Sequence, residues 1–173
     1  MMKKILTTTL LVLMSGHLFA QTRTADESAI HKQIDAMIYS WNHHKYDDLK
    51  NYTTEDTDWV NVVGMWWKGR KQSQYAHQVY HNTIFKTSVM EKKEVAIRFT
   101  TKDVAIAHVV LHSYDSDPHP APLPDGKKPG PTDGLATLVF VKQNGKWLLD
   151  AGENVLIDKG AEPFDPVKQM PKH

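Results

Sequence analysis

Apolar residues recur at Ile30, Ile34, Met37, Ile38 and Trp41, steps of four and three that stay on one face of a 3.6-residue turn. That spacing predicts a helix over residues 26–43. Thr24 or Asp26 stands at its cap, and Glu27 adds a favourable charge in the first turn. A turn and a short helix over 47–52 follow. Residues 57–63, TDWVNVV, are β-branched and aromatic and read as a strand that Gly64 ends. MWWKG is a second short extended piece, stopped at Gly69. Residues 70–85 return to helical spacing, with Tyr75, Val79, Ile84 and Phe85 expected in the core.

Four further strands are predicted over 88–101, 103–114, 134–143 and 146–157. The first two join at a tight turn around Lys102 and Asp103. The last two join across Asn144 and Gly145, a dipeptide suited to a type I′ turn because both residues tolerate positive φ. Between the hairpins, residues 115–134 hold six of the nine prolines and no core periodicity, so they read as a long loop. The tail, 159–173, is expected to be weakly ordered. Helix, short helix, strands, helix and then antiparallel strands make an α+β fold. The expectation is a cone-shaped curved antiparallel sheet of five to six strands, capped by about three helices and enclosing a cavity.

Composition adds a compartment and several exclusions. A basic start, MMKK, precedes an apolar run that ends in small residues near Ala20, the pattern of a signal peptide over 1–20. The run is too short and too threonine-rich for a stable membrane anchor. Residues 21–173 then form the exported chain, expected in a periplasm, with one domain over 21–158. Removing the leader leaves 19 basic against 20 acidic side chains, which offers no electrostatic case for nucleic acid. The absence of cysteine excludes disulfides, thiol nucleophiles and cysteine-held metal. No glycine-rich dinucleotide turn follows a strand, and no cofactor is expected.

The stretch SWNHHKYDDLKNYTTEDTDWVNVVGMWWKGRKQSQYAHQVYH, followed by DVAIAHVVL and LVFVKQNGKWLLDAGEN, resembles the nuclear transport factor 2-like superfamily, also called the SnoaL-like or cystatin-like cone fold. Within it the chain looks like exported bacterial proteins of the SgcJ/EcaC type. The resemblance spans about residues 26–157. It implies a pocketed cone and a homodimer formed through the outer sheet face. It does not imply one chemistry, because members include isomerases, cyclases, dehydratases and binding modules. Related sequences often carry His-Asn near the end of the last strand, where this chain has Glu153 and Asn154.

Several residues are candidates for a site. Trp59, Trp66 and Trp67 are either core or pocket wall, and strand alternation sends the adjacent pair to opposite sides. Asn61 shares a face with Trp59 and suits a ligand carbonyl or hydroxyl. His77 and His81 stand at i and i+4 on one helix face. With His108, expected buried and cavity-facing, they could converge on a metal; packing is the competing reading, and no metal is assigned. His108, Glu153 and Asn61 are the candidates for proton transfer and orientation. If the Trp147 face is core, alternation brings Glu153 inside; if not, Asn154 takes a hydrogen-bonding role. Arg98 is a possible partner for a carboxylate. Three functions stay open: binding a small molecule, proton-transfer catalysis in the same pocket, or a dimeric interaction module with no active pocket.

Overall fold

The computed structural model describes the backbone of residues 2–118 and 130–171 and the side chains of 23–118 and 130–171. The side chains of residues 1–22, where a signal peptide is expected, and residues 119–129 and 172–173 lie outside the described residues. In chain order the elements are α1 (Met2–His43), a 3-10 turn (Leu49–Asn51), β1 (Thr53–Val60), β2 (Trp66–Trp67) and α2 (Gly69–Asn82). Then come β3 (Ser88–Phe99), β4 (Val104–Asp115), β5 (Thr132–Gln143), β6 (Lys146–Leu156) and two exposed 3-10 turns in the tail. The six strands form one sheet in the order β2-β1-β6-β5-β4-β3. Neighbours are antiparallel except β1 and β6, which run parallel, so the expected all-antiparallel sheet is corrected at that one pair.

The β5–β6 turn forms as its sequence requires, with Asn144 at φ 51° and Gly145 at φ 76°. The sheet's inner face is built from Ala105, Ala107, Val109 and Leu111 of β4, Ala136, Leu138 and Phe140 of β5, and Trp147 and Leu149 of β6. Ile30 and Ile34 of α1 pack against it and are fully buried. Three alanines at the contact let the helix lie close to the sheet. Each fully buried large side chain contributes roughly 1.5–3 kcal/mol of transfer free energy.

Helix α1 does not begin at Thr24 or Asp26 as a cap would require; it is continuous through both. Asp26 instead ties the helix to β5 and β6. Its Oδ1 accepts from Lys142 Nζ at 2.6 Å and from Trp147 Nε1 at 2.9 Å. In α2 the expected core residues are also corrected. Tyr75, Val79 and Ile84 are exposed, and the face turned to the protein carries Ser73, His77 and His81. That inward face is polar because the helix closes over a hollow rather than over packed core.

Candidate functional site

The hollow lies between α1, α2 and the sheet, with lining residues from all six strands, and has a volume of about 500 Å³. That is within the range of small-molecule sites, roughly 300–1,000 Å³. Aromatic side chains contribute to its wall: Trp41, Tyr46, Tyr52, Trp59, Trp67 and Phe85. Exposed apolar residues, Val62, Val63, Ile84 and Leu156, stand at its rim.

Register places the tryptophans. Trp59 pairs with Trp67, and Val60 with Trp66. Paired residues share a face, so Trp67 joins Trp59 inside. Trp66 turns outward and is 56% exposed; its indole N–H donates to Asp58 Oδ2 at 3.0 Å. Of the adjacent pair, the pocket residue is therefore Trp67 and not Trp66. Gly152 lies opposite Trp59 across β1 and β6, and its missing side chain is what lets the indole lie against the strand.

His77 is enclosed by rings. Tyr46 stacks on it at 4.9 Å between centroids, and Trp59 and Trp67 approach edge-on at 5.4 and 4.9 Å. Its Nδ1–H donates to the Ser73 carbonyl at 2.8 Å, which leaves Nε2 as a lone-pair acceptor. Burial pushes the imidazole pKa down to about 4 against the upward pull of that hydrogen bond, so the ring is neutral at pH 7. One turn earlier, the Ser73 hydroxyl is buried and has no hydrogen-bond partner among the described residues, although it lines the hollow. An unpaired buried hydroxyl is rare and calls for a partner.

His81 has a different role. It does not line the hollow. Nε2 meets the Tyr46 hydroxyl at 3.0 Å, and Nδ1 meets His44 Nδ1 at 2.9 Å. Burial, with the nearby His44 and His77, lowers its pKa to about 3. Both ring nitrogens are thus committed, Nε2 to holding Tyr46 behind His77 and Nδ1 to His44. Arg70 braces the same end: it donates from Nε to Thr53 Oγ1 and from Nη2 to the Thr53 carbonyl, fastening α2 to β1.

Other expected site residues fall elsewhere. His108 is exposed on the outer sheet face, 3.3 Å from Thr137 Oγ1, because Ala105, Ala107, Val109 and Leu111 occupy the inner one. The expectation of a buried, cavity-facing His108 is corrected. Burying the alanine-bearing face admits α1 and spares His108 and His112 the cost of desolvation. His77, His81 and His108 do not converge, and among the described residues no group of three His, Cys, Asp or Glu is arranged to hold a metal ion. Arg98 is exposed, across from Ile106 on the outer face. Asn61 sits at the pocket rim, past the end of β1, and its Oδ1 accepts from the backbone N–H of Val63 and Met65. Its carbonyl is spent on the turn.

Glu153 and Asn154 are decided by a bulge. Phe140 pairs with Leu149 but Val139 pairs with Ala151, so Asp150 is an extra residue in β6. Alternation inverts there. Trp147 and Leu149 point in before the bulge, and Gly152 and Asn154 after it. Glu153 is exposed and Asn154 lines the hollow. The expectation that the Trp147 face carries Glu153 inside is corrected.

The crystal structure of an uncharacterized protein with a cystatin-like fold from Caulobacter vibrioides is 31% identical, covers 83% of this chain and 98% of its own, and superimposes with a TM-score of 0.76. The chain belongs to the nuclear transport factor 2-like, cystatin-like fold superfamily. A second superfamily structure, a domain of unknown function from Nostoc punctiforme, is 26% identical over 86% of this chain and 88% of its own, with a TM-score of 0.66. Hexachlorocyclohexane dehydrochlorinase LinA-type3 from Novosphingobium barchaimii shares the fold at 13% identity, 79% and 89% coverage and a TM-score of 0.63. No protein-family model and no curated protein matches the chain. In this member of the superfamily the hollow is lined by Ser73, His77 and the paired tryptophans Trp59 and Trp67.

Proposed function

We propose that this protein is exported and binds a small, largely apolar molecule in the cone without transforming it. The observation that carries the proposal is the hollow of about 500 Å³ with aromatic walls and two unspent polar groups, Ser73 Oγ and His77 Nε2. Apolar area removed from water drives such binding, and a few polar atoms orient the ligand.

Proton-transfer catalysis is the second reading, and His77 is what favours it. A fold-mate is named as a dehydrochlorinase, which supports an enzyme as the alternative reading. The weakness lies in the base. A backbone carbonyl, not a carboxylate, stands behind His77, and burial lowers its proton affinity well below neutral. An effective general base has a pKa near the working pH. Geometry therefore supports holding over turnover.

Cleavage before Gln21 would leave the packed part of α1, from Arg23 onward, in place. A homodimer through the outer sheet face is part of the proposal, since Ile106, Val110, Leu135 and Val139 are only half-buried there in the single chain. Native mass spectrometry of protein from its own host tests the central claim. A non-covalent adduct in the parent that disappears in Trp67→Ala supports it. A bare mass, together with no quenching of tryptophan fluorescence by naphthalene, overturns it.

A further inference from the structure

Among the described residues the lining of the hollow is nearly free of formal charge: it holds no lysine or arginine, and its carboxylate is Asp115, at the end of β4. Burying an ion without a counter-charge costs several kcal/mol, so an ionised ligand head is disfavoured inside. The polar atoms that remain are complementary. His77 Nε2 can only accept, because Nδ1 holds the proton in its bond to the Ser73 carbonyl. Ser73 Oγ, one helical turn away, is buried with its hydrogen unassigned to any partner. A ligand hydroxyl that reached both would donate to the imidazole and accept from the serine. The surrounding rings of Trp59, Trp67 and Tyr46 offer flat surfaces to the rest of the molecule.

We propose that the pocket selects uncharged molecules whose flat apolar body bears a hydroxyl, with that hydroxyl seated between Ser73 Oγ and His77 Nε2. The inference rests on the binding function proposed above and names its ligand class. A ligand carboxylate is disfavoured, because no described lining residue carries a positive charge to meet it. A pure hydrocarbon is disfavoured because it leaves both polar groups dry and unpaired.

Three naphthalene probes separate the possibilities: 2-naphthol, naphthalene and 2-naphthoate, titrated at pH 7 against tryptophan fluorescence and by calorimetry. In the parent, 2-naphthol should bind about tenfold tighter than naphthalene, the weight of one net hydrogen bond. 2-Naphthoate should bind at least tenfold more weakly than 2-naphthol. His77→Phe keeps a ring and removes the acceptor, so it should abolish the preference for 2-naphthol over naphthalene. Ser73→Ala removes one oxygen and should reduce the preference about threefold, which keeps the test decisive if His77→Phe misfolds. Equal binding of naphthol and naphthalene overturns the proposal, as does tight binding of naphthoate or a preference that survives both variants. If none of the probes binds, naphthalene included, the binding function itself fails along with it.

Discussion

Gly152→Ala asks whether the Trp59 wall is set by the strand beneath it. A methyl carbon at 152 would lie 2.2 Å from Trp59 Cζ3 and 2.4 Å from Cε3. Carbon atoms in contact rest about 3.5–4.0 Å apart, so the indole must retreat by more than about 1 Å. It has little room. Trp59 pairs with Trp67 on one side and Gly152 on the other, and its ring meets the His77 edge. Overpacking of this kind costs about 1–3 kcal/mol. Against it, alanine in a strand gains about 0.5–1 kcal/mol over glycine from backbone entropy. The net expectation is a loss of about 1–2 kcal/mol, larger if the ring is expelled to solvent. Urea denaturation followed by circular dichroism measures the loss, and a red-shifted tryptophan emission reports the displaced ring. The decisive control is a Trp59→Leu background, where the same alanine should be neutral or mildly stabilising. A parent protein undisturbed by the alanine, or an equal cost in both backgrounds, would refute the reasoning.

Asp26→Ala strands the Lys142 ammonium and the Trp147 N–H and should cost about 1.5–3 kcal/mol by urea midpoint. Burial raises the Asp26 carboxyl, but the hydrogen bonds from Lys142 and Trp147 and the Lys142 charge outweigh it and hold the pKa below the ordinary value. That stability is therefore present above the unfolded carboxyl pKa of about 3.9 and lost as pH falls through the lower folded value, and Asp26→Asn should flatten the acid end of the profile. His77 works over another window. Its folded pKa of about 4 lies below the unfolded 6.5, so the unfolded chain binds the proton first and stability falls as pH drops from 6.5 to 4. His77→Phe should remove up to about 3 kcal/mol of that slope, and an unchanged slope would count against a buried neutral imidazole. His108→Ala and Glu153→Gln should leave 2-naphthol affinity unchanged, since both side chains face away from the hollow; a tenfold loss from either would return them to the site.

The elements were legible because they rest on local physics. Helical spacing around Ile30 and Ile34 located the buried stripe of α1, and the Asn144–Gly145 pair located a real I′-type turn. Which face of each element turns inward was not legible from alternation alone. In β4 the two faces read as Ala-Ala-Val-Leu and Val-Ile-His-Val, both apolar, and only the arrival of α1 selects the alanine side. In α2 the more apolar stripe, Tyr75 and Val79, lost to the polar one because the helix roofs a hollow. The signal for Ser73 was present: it stands four residues before His77, which stands four before His81. It is visible only once that stripe is read as one inward face.

The bulge at Asp150 shows how a chemical choice can turn on one residue of register. Without it, alternation from Trp147 would carry the Glu153 carboxylate into an apolar hollow where no described lining residue is a cation. Such a group would sit protonated or draw in water, and it would suit an acid–base site. With the extra residue, the same strand presents Gly152 beneath Trp59 and the neutral amide of Asn154 beside it, while Glu153 goes to solvent. Thr54 helps fix the bulge, donating its hydroxyl to Asp150 Oδ1 at 2.8 Å from the neighbouring parallel strand. The parallel β1–β6 pairing, the bulge and the glycine are thus one device, and its product is a β6 wall that turns no carboxylate into the hollow. Together with a histidine held neutral, that is the electrostatics of a site built to hold an uncharged molecule.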